Sequence, residues 1–529
     1  MPANTLWHIE FGAYALTVDR KTLTYRLVET ETGTVWAENL SLGAVEIEER
    51  ASGIKTWHSF GACKLISLSE KAGAQGKRIL FGLDAPGGIP VDVYLTCTER
   101  EIQLTVEASR DTKTHRAGAV RLLNGLCRVP DDAASYLVLP IGTGAILFAK
   151  NAPDAPVSLP VWDAQRGLTM PFVGAVRGKS ALALLTDSAY AAADVSVPTV
   201  EWEPRAVTAD LRYERDPERR RLDVRIALIP NGDHISIARA YRDKVIGDGG
   251  HVTLRKKLRE NPAVDALIGR PFSEESYPVG EYGLPPIDSA APPADRWEQM
   301  EDRIAAMRQA AASGAVVGSL GAEDWSAAYL HFWHDKGTKL SQVLHRLPGE
   351  TTWSLGFPCA AVPLLPVVYH DSVVCVHDIN SSDDGNQDFL QALLHLATPD
   401  KTSLTFLAEY CGGGMVTALC AVLFPLARLS FAAFLTAHRF LTPDFAAEEA
   451  RYSNGVHIII NRSYTDDYIT DDLHLPPLGF YVAHPEMTAH NARRVGARTF
   501  DTGAWQVRRS LDDGLFAGAG EVLEETFPV

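Results

Sequence analysis

The sequence predicts a multidomain α+β fold, and three changes of rhythm along the chain predict it. Up to about residue 230 the apolar residues recur at every second position, in short runs broken by turn residues, as in half-buried strands. From Asp233 the spacing lengthens to that of helices. Over the last eighty or so residues it returns to two. At 529 residues the chain is too long for one compact core. The expected division is an N-terminal β-sandwich at 1–232, a helical connector and linker at 233–296, a central α/β region at 297–437, and a C-terminal β-domain, again a sandwich, at 438–529.

In the first region, Thr22–Glu29 and Glu31–Trp36 read as strands around a Thr-Gly turn. Val91–Cys97 and Ile102–Ala108 alternate strictly and predict an antiparallel hairpin with one wet face. Ala181–Leu185 and Leu222–Ile229 add further strands. Ile237–Ile246 then predicts a helix that stops at Gly247, Gly249 and Gly250, and Leu254–Glu260 a second, basic helix ended by Pro262. Residues 270–296, rich in Pro, Gly and Ser, read as a linker, and Trp297–Ala312 as an amphipathic helix. Phe389–Leu396 and Met415–Phe434 are expected helices, while Val456–Ile460, Gly479–Val482 and Ala504–Val507 are expected strands.

The centre carries the candidate chemistry. Ala315–Ser319 reads as a buried strand that delivers Glu323, Asp324 and Trp325 just beyond its end. The apolar run from Pro363 to Asp378 reads as a second strand, with Asp383 and Asp384 behind it. Residues an even number apart on a strand share a face, so Asp371 would join His377 and His370 would join Asp378. Catalytic groups of α/β enzymes sit on loops that follow such strands. The plainer alternatives are His–Asp hydrogen bonds that merely finish the strand, and a Glu323–Asp324 pair placed at a helix start by the dipole. The spacing matches no known three-ligand metal site, and no cofactor is called for.

A formal charge of −16 lacks the basic face that nucleic acid or an anionic membrane surface requires. Met415–Ala427 is apolar but shorter than the about 20 residues of a spanning helix, and it contains Pro425. The seven cysteines form no C-x-x-C and lie mostly inside apolar runs, which favours reduced thiols in a reducing compartment. The first residues show no basic segment followed by an apolar one, so a cytoplasmic location is expected.

Several segments together resemble one family. Gly232–Arg242, Thr253 to Gly269, Val367–Asp371, His438–Asp444, Val456–Asn461 and Leu475–Phe480 are similar to parts of large glycoside hydrolases of the endo-α-N-acetylgalactosaminidase and α-N-acetylgalactosaminidase type. The resemblance implies a galactose-mutarotase-like sandwich, a TIM-barrel-like centre and a C-terminal β-sandwich. It also implies cleavage of α-glycosides by two carboxylates, in the retaining case about 5–5.5 Å apart. The chain departs from that pattern twice. Gly269 and Cys411 are about 140 residues apart, against about 250 for a full barrel, which points to a partial or degenerate one. Gly318-Ser319-Leu320-Gly321 also has leucine where the family carries an acid in Gly-Ser-Glu-Gly.

The leading expectation is therefore a glycoside hydrolase. Glu323 or Asp324 would be general acid/base, and Asp371, Asp378, Asp383 or Asp384 the second carboxylate. Trp325 and Trp333 would be the sugar-stacking face, with His370 and His377 on the polar rim. A non-catalytic carbohydrate-binding or interaction protein is the alternative, and a metal-dependent hydrolase built on the two His-Asp pairs a third.

Overall fold

The structure, a computed structural model, describes residues 5–528 except 13, 74–75, 99–100, 109–110, 164–166, 189–190, 198–204, 215–220, 273–292, 321–323, 335–358, 380–384, 412, 502–503 and 510–522. Leu6–Pro230 is built of antiparallel strands in a 4-stranded, a 7-stranded and a 10-stranded sheet. Ile79, Phe81, Val93 and Leu104 of the largest sheet meet Val45, Ile47, Val120 and Leu211 of the 7-stranded one in a single apolar core. The expected hairpin is present as Ile89–Cys97 paired with Glu101–Ala108, Cys97 opposite Ile102 and Val91 opposite Ala108. Burial alternates residue by residue along Ile89–Cys97, as a strand with one wet face must.

Helix α1, His234–Gly247, begins where the last sandwich strand ends. The Asp233 carboxylate caps it by accepting the Ser236 N–H. It lies on the strands Phe172–Arg177 and Ser180–Thr186, where a Cβ at Gly174 would come within 2.7 Å of Ile237. Glycine at 174 is thus what lets the helix settle on the sheet. Helix α2 (Leu254–Glu260) and helix α3 (Pro293–Ala312) follow.

The centre holds a parallel sheet, Gly318–Leu320, Phe332–His334, Val374–His377 and Thr398–Pro399, in that order. Phe272 extends it by a bridge to Asp400. Among the described residues these four strands make up the whole of that sheet. Around it lie α4 (Leu364–Tyr369), α5 (Gly385–His395), α6 (Lys401–Cys411) and α7 (Gly413–Ser430). Ala360–Ala361 leaves the centre to pair with Ala145–Leu147, at the edge of the largest sandwich sheet.

One expectation fails here. Pro363–Asp378 is not a strand: Leu364–Tyr369 is helix α4, residues 370–373 turn, and only Val374–His377 is extended. Leu364 to Val368 are all buried, so no period marks the helix; Pro363 is its N-cap and Pro366 lies in its first turn, where proline is tolerated. His370 and Asp371 therefore precede the strand while His377 and Asp378 end it, and the two supposed shared faces do not exist. Likewise Asp324–Ser326 is a single 3₁₀ turn that opens no longer helix.

Past α7 a 7-stranded antiparallel sheet runs from Leu435–Phe440 to Leu523–Pro528, with a small 4-stranded sheet beside it. Helix α7 is long and apolar enough to cross a membrane, and 56% of its apolar window is buried inside the fold, against α5, α6 and this sheet. A second apolar core joins α1, α4, α5, α7 and the C-terminal sheet. Cys63, Cys97, Cys127, Cys359 and Cys420 are free thiols, and burial pushes those of Cys97, Cys359 and Cys420 up to about 12.

Candidate active site

The strands of the parallel sheet end together at Leu320, His334, His377 and Pro399, and ligand sites of α/β folds form beyond such ends. Half-buried Asp378 follows His377, and buried Asp400 follows Pro399. The Ser403 hydroxyl lies between the two acids, 2.6 Å from Asp378 Oδ1 and 3.3 Å from Asp400 Oδ2. Phe272 stacks on His334 at 5.5 Å between ring centres, covering one flank. Glu323, Asp383 and Asp384 lie outside the described residues.

Asp324 comes just after the first strand, but its carboxylate faces inward. Oδ1 accepts Trp162 Nε1–H, and Oδ2 accepts the hydroxyls of Tyr241 and Tyr369. Its own N–H reaches the Thr169 carbonyl at 3.2 Å. One acid thereby ties a sandwich loop, α1 and α4 to the turn behind residue 323. Burial pushes it up to about 6, against the hydrogen bonds of Tyr241 and Trp162, the charge of Lys244 and the Tyr369 bond, all of which favour the ion.

Asp371 sits at the opposite end of the sheet, before Val374–His377. Arg242 holds both its oxygens, at 2.9 and 2.7 Å, and His251 adds a bond at 3.1 Å. Burial alone would raise its pKa, yet these partners bring it down to about 2. His370 Nδ1 donates to the Ala433 carbonyl at 2.7 Å, which holds the ring in place, and burial lowers its pKa. Both residues are structural ties. Near this end Lys257 donates to the carbonyls of Ala327, Leu330 and Ser372 at 2.6–2.7 Å, fixing the approaches to the two middle strands; burial brings it down to about 7.

The expected tryptophan face also changes. Trp333 is 2% exposed, set edge-on to Tyr369, and donates to Ser326 Oγ at 3.1 Å, so neither face is open to a sugar. Trp325 is half-buried between the two apolar cores.

Sequence reading passed over a buried polar array beside this sheet. Tyr136 OH is 3.4 Å from His234 Nδ1, His234 Nε2 is 3.0 Å from His438 Nδ1, and His438 Nε2 is 2.9 Å from Glu448. A carboxylate accepts only, which fixes the protons of a neutral array: His438 donates to Glu448, His234 to His438, and Tyr136 to His234. Arg462 carries the array from Glu448 to Gln391, whose amide meets His395 at 2.8 Å. The sandwich, α1, the C-terminal sheet and α5 are thereby joined. Burial holds His395 well below the usual imidazole range, with the charges of His377 and Arg462 adding to it. The sequence trace of this array is that His234 lies within one of the segments that carry the family resemblance and His438 opens another.

No family model and no curated protein matches the chain at the level of sequence. Among solved structures it is similar to α-N-acetylgalactosaminidase NagBb from Bifidobacterium bifidum. With that enzyme in complex with GalNAc the TM-score is 0.67 at 16% identity, over 86% of this chain and 98% of the other. The ligand-free form gives 0.65 at 15% identity, and the Gal-NHAc-DNJ complex 0.65 at 16%, over the same shares of both chains. The chain has a β-rich, multidomain, glycoside hydrolase-like fold.

Proposed function

We propose that this chain hydrolyses α-linked glycosides, α-N-acetylgalactosaminides foremost, at the C-terminal edge of its parallel sheet. The observation that carries the reading is positional: in a fold like that of an enzyme named for this substrate, two strands that flank Phe332–His334 in one parallel sheet are followed in sequence by Glu323 and by Asp378, Asp383 and Asp384. Glu323 is the general acid/base, and Asp324 anchors the turn behind it. The second carboxylate is Asp378, Asp383 or Asp384. Asp371, bound by Arg242 at the far end, has no part in the chemistry. The sandwich is read as mutarotase-like and the centre as a partial TIM barrel, as the resemblance implies. The free thiols of Cys63, Cys97, Cys127, Cys359 and Cys420 support a cytoplasmic setting.

The test is release of nitrophenol from aryl α-glycosides of N-acetylgalactosamine, galactose and glucose. Turnover of the first, lowered at least about a hundredfold in Glu323→Gln, is expected. Equal turnover by the variant would remove Glu323 from the chemistry.

A second reading has its own support. Two of the three described acids expected to act, Asp324 and Asp371, have their oxygens occupied by protein donors, as suits a carbohydrate-binding protein without catalysis. Stabilisation by N-acetylgalactosamine without turnover of any aryl glycoside would favour it.

A further inference from the structure

Asp400 is the residue on which α6 starts. Its Oδ2 accepts the Ser403 N–H at 3.3 Å, the bond of an N-cap, and that role needs one oxygen only. The other oxygen, Oδ1, is sealed from water in a residue 3% exposed, and no donor among the described residues reaches it. A buried carboxylate oxygen left unpaired is costly and rare, so its presence calls for a reason. Ser403 does not relieve it. Its hydroxyl has one proton, and Asp378 at 2.6 Å competes for that proton against Asp400 Oδ2 at 3.3 Å.

Position supplies the reason. Asp378 and Asp400 follow the ends of neighbouring parallel strands, Val376 lying opposite Thr398 and His377 opposite Pro399. Their carboxylates share one serine hydroxyl, on the edge where a ligand would enter. An acceptor with no protein donor, set beside a second acid, is what a polyhydroxyl ligand completes: a sugar hydroxyl donates to a carboxylate and restores the missing bond.

We infer that Asp400 Oδ1 accepts the hydrogen of one ring hydroxyl of the bound glycoside, which makes Asp400 a specificity-determining residue of this edge, with Asp378 beside it across Ser403. The inference rests on the glycoside reading above and names a contact that reading leaves open.

The experiment measures binding of N-acetylgalactosamine and its 3-, 4- and 6-deoxy analogues to the full chain and to Asp400→Asn, by calorimetry, together with thermal unfolding of both proteins. Asparagine caps a helix as well as aspartate, so the variant should melt no lower than the parent. Its affinity for the parent sugar should fall about tenfold to a hundredfold, as for loss of a charged hydrogen bond. One deoxy analogue should lose a similar factor with the parent protein and almost nothing more with the variant. If the variant binds the sugar as the parent does, Asp400 is a helix cap alone and the inference is overturned while the glycoside reading stands. Should the parent bind none of these sugars, both fall together.

Discussion

The sandwich and the seam behind it are both closed to water, yet they are closed with different materials. In the sandwich, alternate residues of two sheets fill one space with Val, Ile, Leu and Phe. The seam, where α1, the parallel sheet, α5 and the C-terminal sheet meet, is apolar too, but it is threaded with buried ions and imidazoles: Arg242 with Asp371, Asp324 with its three donors, and His234 with His438, Glu448 and Arg462. A core of hydrocarbon tolerates small shifts, whereas a buried polar group left without its partner pays the full desolvation cost. The lesson is that the seam fixes a geometry, and does so conditionally, on protons.

Acid should separate the two regions, and this is the largest effect expected. Burial lowers the pKa of His234 to about 3 and of His331 and His490 to about 4, and lowers those of His370, His395 and His457; every one of these lies beyond residue 230. The folded values are below the unfolded one, so below about pH 6.5 the unfolded chain binds the extra protons and stability falls with pH. From pH 6.5 to 5, the first three histidines each cost about 2 kcal/mol. The sandwich contains the opposite case. Burial holds its Asp210 up to about 6, so the folded state takes that proton first and gains stability as pH falls from 6 toward 3.8; Asp324, also held up to about 6, does the same in the seam, where the histidines outweigh it. Limited proteolysis between pH 7 and 5 should open the chain beyond residue 230 before the Leu6–Pro230 core. A single transition, with one pH slope for both regions, would erase the contrast.

The next effect is confined to one ion pair. Arg242→Ala would leave the Asp371 carboxylate buried with His251 as its one remaining side-chain partner, and should cost about 3–5 kcal/mol in urea unfolding at pH 7. The double variant Arg242→Met, Asp371→Leu removes both charges and should recover most of that loss. If the double variant is as unstable as the single one, the Arg242 guanidinium matters for its packing on Phe434, 4.2 Å from the ring centre, more than for its charge.

The same division explains what could be read from the sequence. Ile89–Cys97 announces itself because one face is wet and the period of two survives. Leu364–Tyr369 does not, because burial on every side leaves a run of Leu, Pro and Val with no period, and β-branched residues tilt the reading toward a strand. Asp324 was legible as an acid near a strand end. That Trp162, Tyr241 and Tyr369 converge on it was not, since these positions meet only through the packing of three separate elements. The strand ends stood out as places for chemistry, but nothing in the sequence singled out Asp400. Its unpaired oxygen is a property of the fold, and no local pattern encodes it.

The smallest effect sharpens the comparison from the sandwich side. Lys64–Gly73 is the last strand of the 10-stranded sheet, paired on one side only, and Ile66 on it is 64% exposed. Ile66→Lys should therefore shift stability by no more than about 0.5 kcal/mol, as for surface positions generally. Two strands further in Val93 is fully buried, and Val93→Ala there should cost about 1–3 kcal/mol through the atoms and space it removes. An open edge bearing Ile66 and Leu68 is also a template for a further strand, which a lysine discourages. Light scattering at high concentration should therefore show less association for Ile66→Lys than for the parent, with the urea midpoint unchanged. A lowered midpoint would mean that this strand is covered in solution, and that the sandwich, too, depends on a partner along its edge.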